Sequence, residues 1–86
     1  MILAEVLGKV WPDRIVATLQ GRRLVLIREH PDGPQRVAVD LMNAGTGSTV
    51  LVATDEAAAA ATGEATVDAA VVALVADQGS GVATTD

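Results

Sequence analysis

A glycine-rich segment in the middle of the chain is the one stretch whose residue types match a ligand-binding loop. Residues 45–49 (Gly-Thr-Gly-Ser-Thr) are small and hydroxyl-bearing, as in loops that cradle phosphate. The segment lacks the lysine of a P-loop and the third glycine of a dinucleotide fingerprint, and the apolar run after it predicts a strand rather than a helix. The run before it alternates between two faces, one with Val37, Val39 and Leu41 and the other with Ala38 and Asp40. A contact between chains is therefore the stronger interpretation of this loop, and phosphate binding the weaker one.

The other residue types that support catalysis or metal binding are scattered. His30 is the only histidine, and it stands at the edge of a predicted turn with no partner base or ligand beside it. Cysteine is absent, which excludes disulfides and thiolate metal sites. The 11 acidic residues form neither a spaced catalytic pair nor a calcium-type loop. We therefore expect no catalytic residues, no metal site and no cofactor, and a protein that is not an enzyme.

Composition predicts one small domain that is partly covered by a partner chain. The chain has 86 residues, half of them hydrophobic, and Trp11 is its only aromatic residue. Alanine and valine bury little area per side chain, and a domain of this size is only marginally stable by itself. So much apolar surface on so short a chain predicts an oligomer.

Charge and hydropathy exclude two classes of partner. The formal charge of −5 argues against nucleic-acid binding, because such proteins need a basic face to displace counterions from phosphates. The first residues do not match a signal peptide, and no apolar run approaches the ~20 residues of a membrane span. We expect a soluble cytoplasmic protein without nucleic-acid or membrane partners.

Alternating apolar residues predict five strands, over residues 2–11, 22–29, 35–41, 50–53 and 67–75. Gly8 predicts a bulge or sharp bend in the first strand. The turn at residues 30–34 joins the second and third strands as an antiparallel hairpin, because its proline, aspartate and glycine each suit a turn position. Residues 15–19 form either a further strand or a packed loop.

An alanine-rich segment predicts one short helix. Asp55 suits the positive end of a helix dipole and Gly63 can close the helix, which we place at about residues 55–61. Short strands, tight turns and one late helix predict a mainly β fold, a small five-stranded OB-like antiparallel barrel with the helix plugging one end. Residues 1–76 form this single domain, and residues 77–86 form a flexible C-terminal tail.

Two strands carry apolar residues on more than their core-facing side. The last strand is apolar on both faces, which predicts burial by the core on one side and by a partner chain on the other. The first strand adds leucines to its second, mixed face. The resulting candidates for a subunit interface are Leu3, Leu7, Val67, Val71, Val72 and Leu74.

Five segments, in this order and spacing, resemble a known family. They are Gly8-Lys9-Val10-Trp11, then Leu19 to Leu24, Val37-Ala38-Val39-Asp40, Ala44-Gly45-Thr46-Gly47 and the closing run Val67 to Val75. Together they resemble the bacterial microcompartment vertex proteins of the EutN/CcmL type over nearly the whole domain. Asn43 replaces a glycine that is usual in this family, and Ser48 replaces a glutamate.

The resemblance implies an OB-like barrel that assembles as a cyclic pentamer and caps the vertices of a polyhedral shell in the cytoplasm. Its partners would be further copies of itself and hexameric shell proteins. The loop near the pentamer axis would consist of Asn43, Ala44, Gly45, Thr46, Gly47 and Ser48. Two alternatives stay open at this point: an OB-type module that binds single-stranded nucleic acid or oligosaccharide, and an accessory subunit of a cytoplasmic enzyme.

Overall fold

The computed structural model describes residues 1–76, so the predicted tail at 77–86 lies outside the described residues. The secondary-structure elements are β1 (Ile2–Val10), a 3-10 helix (Ala17–Leu19), β2 (Leu24–Glu29), β3 (Gln35–Asp40), β4 (Thr49–Thr54), α1 (Asp55–Thr62) and β5 (Ala69–Leu74). The five strands and the helix agree with the sequence predictions. The segment that the sequence left open contains the 3-10 helix rather than a strand.

The five strands close into a barrel in the order β1-β2-β3-β5-β4. Four of the neighbouring pairs are antiparallel, as predicted, and the fifth pair, β3 with β5, is parallel. A parallel pair needs a long connection, and the chain between β3 and β5 supplies it with the glycine-rich loop, β4 and α1. The predicted five-stranded, mainly β barrel is thus confirmed, with mixed rather than purely antiparallel pairing.

Small aliphatic side chains fill the inside of the barrel. Ile27 is the largest of them, and the valines Val6, Val25, Val50, Val52 and Val71 are fully buried around it. These residues alternate with outward-facing ones along each strand, as a barrel wall requires. A barrel of five strands has a narrow interior, so side chains of this size are enough to fill it.

Helix α1 covers the side of the barrel and does not plug its end. Ala58 of the helix packs in a second apolar cluster with Val39, Ala53 and Ala70. Each of these three strand residues neighbours an inward-facing residue in its own strand, and each therefore points outward. The prediction that the helix plugs the barrel was wrong, because sequence periodicity defines the helix but not the surface against which it packs.

Two bulges interrupt the ladders. Leu7 has no partner in the β1–β2 register, which passes from Val6 to Gly8, and this confirms the bulge predicted at Gly8. Val72 likewise has no partner in the β4–β5 register, because Val71 pairs with Val52 and Ala73 pairs with Leu51. Both extra residues are half-buried.

Candidate functional site

The glycine-rich loop between β3 and β4 is held by one buried carboxylate. The side chain of Asp40 is fully buried, and its Oδ1 accepts a hydrogen bond from the Met42 amide at 2.9 Å. Its Oδ2 accepts bonds from the Ala44 amide and from Nε of Arg23, each at 2.8 Å. Nη2 of Arg23 also donates to the Ala44 carbonyl oxygen at 3.4 Å. We refer to this arrangement of Asp40, Arg23, Met42 and Ala44 as the Asp40 latch.

Beyond the latch, the loop is tied to β1 by backbone bonds. The Gly47 amide donates to the Val6 carbonyl at 2.8 Å, and the Val6 amide donates to the Ser48 carbonyl at 2.9 Å. Gly47 has a φ of +91°, a conformation that residues with side chains rarely adopt. Asn43 also has a positive φ, of 54°, which asparagine tolerates better than most residues. The loop is therefore a fixed feature of the barrel.

Exposure divides the six residues predicted to lie near a pentamer axis. Asn43, Gly45, Thr46 and Gly47 are exposed, and Ser48 is half-buried. Ala44 is buried and belongs to the interior cluster of the barrel, so its side chain does not line any outer surface. The amide and the carbonyl of Ala44 both take part in the Asp40 latch, which accounts for the inward position of this residue.

Neither charged member of the latch was predicted from the sequence. Strand alternation correctly places Asp40 on the face of β3 opposite Val39, but that face is the inner one, and Ala38 on the same face belongs to the interior cluster. The available signal was an aspartate at the end of an apolar strand, just before a turn, since aspartate accepts bonds from backbone amides ahead of it. Arg23 lies 17 positions away and has no local signal.

The six predicted interface residues also divide by burial. Val71 is fully buried in the interior cluster and Val67 is buried in the cluster beneath α1, so these two side chains offer little or no surface to a second copy. Leu3, Leu7 and Val72 are half-buried, and Leu74 is 51% exposed. The first half of the last strand is thus covered on both faces by its own chain. The second half is only partly covered.

An apolar row crosses three strands on the open side of the barrel. Leu3 of β1 is paired with Leu51 of β4, and Leu51 is paired with Ala73 of β5. Leu3 and Leu51 alternate with inward-facing residues and hence point outward, and all three residues are only partly buried. We call Leu3, Leu51 and Ala73 the wall patch. Of these residues, only Leu3 was predicted from the sequence as an interface residue.

The residue types considered above for metal binding do not form a cluster in the described part of the chain. His30 lies in the turn after β2, where its backbone amide donates to the Leu3 carbonyl at 2.9 Å, and its side chain is exposed. Within residues 1–76, no three histidine, cysteine, aspartate or glutamate residues lie close enough together to hold a metal ion. None of the described helices has the length and apolar character needed to cross a membrane.

Comparison with known proteins identifies the family. The family model described as ethanolamine utilisation protein EutN/carboxysome matches residues 1–76. The chain belongs to the EutN/CcmL family. The resemblance that the sequence analysis described is thereby confirmed, and so is the class of protein, a microcompartment shell protein.

Solved structures of EutN/CcmL proteins share this barrel. The GrpN pentameric microcompartment shell protein from Rhodospirillum rubrum is 32% identical, with a TM-score of 0.79 and coverage of 90% of this chain and 95% of that chain. EutN from Escherichia coli is 31% identical, with a TM-score of 0.76 and coverage of 87% and 84%. CcmL from Nostoc sp. PCC 7120 is 30% identical, with a TM-score of 0.79 and coverage of 87% and 88%. No curated protein matches the sequence at a significant level.

Proposed function

We propose that this EutN/CcmL protein is a structural shell protein whose copies close into a pentamer and cap the vertices of a bacterial microcompartment. The observation that supports the proposal most strongly is the match to a protein described as a pentameric microcompartment shell protein, over nine-tenths of the chain at 32% identity. The mechanism is geometric. A flat layer of hexamers closes into a polyhedron only where fivefold units replace sixfold ones.

The wall patch supplies one side of the ring contact in this proposal. A cyclic ring repeats one heterologous interface, in which a surface of each subunit meets a different surface of the next. Leu3 and Leu51 offer outward-facing leucines that are only partly buried in the single chain. A stable interface of this kind buries roughly 1,000–2,000 Å².

The glycine-rich loop takes the position near the fivefold axis. Its exposed residues, Asn43, Gly45, Thr46 and Gly47, have small or short side chains, which let five copies approach one point. The Asp40 latch fixes the loop before assembly, so ring closure does not have to order it.

Hexameric shell proteins would be the neighbours of the ring, and the shell would lie in the cytoplasm. The role is architectural and involves no catalysis.

The first experiment measures the oligomeric state. Native mass spectrometry of the purified chain should give one species at five times the chain mass of 8.7 kDa. Leu51→Glu should shift this species to the monomer, since the charge falls within the wall patch. Ala60→Glu, which adds the same charge to an exposed position of α1, is the matched control and should leave the pentamer intact. A wild-type chain that is only monomeric or dimeric at micromolar concentration would overturn the proposal.

A second experiment tests the place of the pentamer in a shell. Co-expression with hexameric shell proteins should give closed polyhedral shells by electron microscopy, with the chain present at a fixed ratio. Shells that close equally often without this chain would contradict the vertex role while leaving the pentamer untouched.

A further inference from the structure

A groove opens beside the only aromatic side chain of the protein. It has a volume of about 320 Å³ and is lined by residues 9–12, from the end of β1, and by residues 21–24, which lead into β2. Trp11 forms one wall and is 78% exposed. This volume is at the lower end of what small-molecule sites occupy, about 300–1,000 Å³. The groove lies apart from the wall patch of Leu3, Leu51 and Ala73.

The lining of the groove is cationic on an acidic protein. Lys9, Arg22 and Arg23 line it, and they are three of the six lysine and arginine residues in a chain with a formal charge of −5. No aspartate or glutamate is part of the lining. Asp40 pairs with Arg23 at 2.8 Å, so Lys9 and Arg22 carry the positive charge of the lining that is not paired with a carboxylate among the described residues. A local excess of positive charge of this kind attracts anions.

Each cation is held in position by a contact inside the chain. The ammonium nitrogen of Lys9 lies 4.9 Å from the centroid of the Trp11 ring. Arg22 donates through Nη2 to the carbonyl oxygen of Thr62 at the end of α1, and Arg23 is part of the Asp40 latch. A guanidinium carries more N–H donors than these bonds use, so both arginines keep donors for a ligand. Donors that are already ordered lose little entropy when a ligand binds.

We propose that this groove is a binding site for an oxyanion, a carboxylate or phosphate group, next to an apolar moiety that packs on Trp11. Arginine forks match the planar, two-oxygen edge of such groups, and Lys9 adds a point charge at the rim. The oxyanion has two possible sources: a free small anion, or an acidic side chain of a neighbouring shell protein. Binding of a free anion does not depend on the proposed function, whereas the neighbouring-protein source rests on it, and the measurements below distinguish the two.

The fluorescence of Trp11 provides a direct measurement, because it is the only tryptophan in the chain. The assembled protein is titrated at constant ionic strength with sodium phosphate, with succinate, and with a blocked five-residue peptide that carries one glutamate. Chemical shifts of the amides of residues 21–24 give a second measurement. We expect a saturable response in both signals to at least one of the three probes.

Two variants separate a specific site from a general salt effect. Lys9→Gln should weaken binding by roughly tenfold, the effect of one charge-assisted hydrogen bond. Arg28→Gln removes the same charge four residues beyond the groove lining, further along β2, and should leave the affinity unchanged. Both variants should remain pentameric by native mass spectrometry.

The outcomes identify the source or refute the site. Saturable binding of phosphate or succinate that depends on Lys9 assigns the groove to a free anion. Peptide binding at least tenfold tighter than that of succinate, and equally dependent on Lys9, assigns it to a neighbouring protein. A linear response to all three probes, or an equal response in Lys9→Gln, would overturn the proposal. Loss of the pentamer in Lys9→Gln would assign the groove to the ring contact and overturn it as well.

Discussion

Two outward-facing apolar regions of the barrel, one beneath α1 and the other the wall patch, differ in what covers them. Val39, Ala53 and Ala70 point outward beneath α1 and are buried by their own chain. Leu3 and Leu51 of the wall patch also point outward, but no element among residues 1–76 covers them fully. The residue types are similar, so composition does not distinguish the regions. Only the position of the helix decides which region belongs to the fold and which is available to another copy.

The same contrast occurs within β5, between two alanines three residues apart. Ala70 is fully buried beneath α1, and Ala73 is half-buried in the wall patch. One substitution made at both positions therefore distinguishes the stability of the chain from the stability of the ring.

Ala70→Asp should have the largest effect, which is loss of the fold. Burial of an unpaired carboxylate under α1 costs several kcal/mol, out of a total stability on the order of 10 kcal/mol for a small domain. Circular dichroism should show no cooperative thermal transition for this variant at temperatures where the wild-type chain is folded. A folded pentameric Ala70→Asp would show that α1 does not seal this side of the barrel.

Much of the fold follows from the sequence, because strands and helices have local signals. Period-two alternation predicted the strands, and Gly63, which adopts a φ of +71° after the last helical residue, marked the end of α1. Alternation also defines two faces without saying which one is inside. In β3 the inner face carries the small Ala38 and the charged Asp40, while Val37 is exposed.

The parts of the site that the sequence did not predict depend on long-range contacts. The Asp40 latch joins residues 17 positions apart, and the wall patch joins β1, β4 and β5. Whether α1 covers the side or the end of the barrel depends equally on tertiary packing. The burial of Val67 follows from that choice, whereas Val71 is buried by the closure of the barrel around its interior cluster.

Ala73→Asp should abolish the ring and leave the barrel folded. The charge lies in the wall patch, where water can solvate it in the monomer but not in a closed interface. Native mass spectrometry should give the monomer, and circular dichroism should give a spectrum like that of the wild type. If Ala73→Asp still forms pentamers of unchanged stability, the wall patch is not part of the ring interface.

Asp40→Ala should destabilise the chain by about 3 kcal/mol, because it leaves the buried amide of Ala44 and the amide of Met42 without their acceptor and Arg23 without its partner. Glu29→Ala is the matched control. It breaks the second ion pair of the described residues, Arg36 with Glu29 at 3.1 Å, in which both side chains are partly exposed. Such a surface pair contributes about 0–1 kcal/mol.

Urea denaturation of the two variants as monomers, each in the Ala73→Asp background, measures this difference without a contribution from assembly. Equal losses of stability in Asp40→Ala and Glu29→Ala would show that the latch acts as an ordinary surface ion pair. A larger loss in Asp40→Ala, with unchanged spectra, would show that the loop is held by its own chain before any ring forms.

Gly45→Val should have the smallest effect on the chain and act on the ring alone. A Cβ at Gly45 would meet only Oγ of Ser48, at 4.0 Å, and its backbone is not in the left-handed region, so the monomer has space for a side chain. Five valines near one axis would crowd each other, so on dilution the variant pentamer should dissociate at a higher concentration than the wild-type pentamer does.

Gly47→Val is the control within the same loop. A valine held at the φ of +91° that Gly47 adopts should destabilise the monomer itself by about 1–3 kcal/mol. If the Gly45→Val pentamer dissociates at the same concentration as the wild-type pentamer in analytical ultracentrifugation, this loop lies away from the fivefold axis.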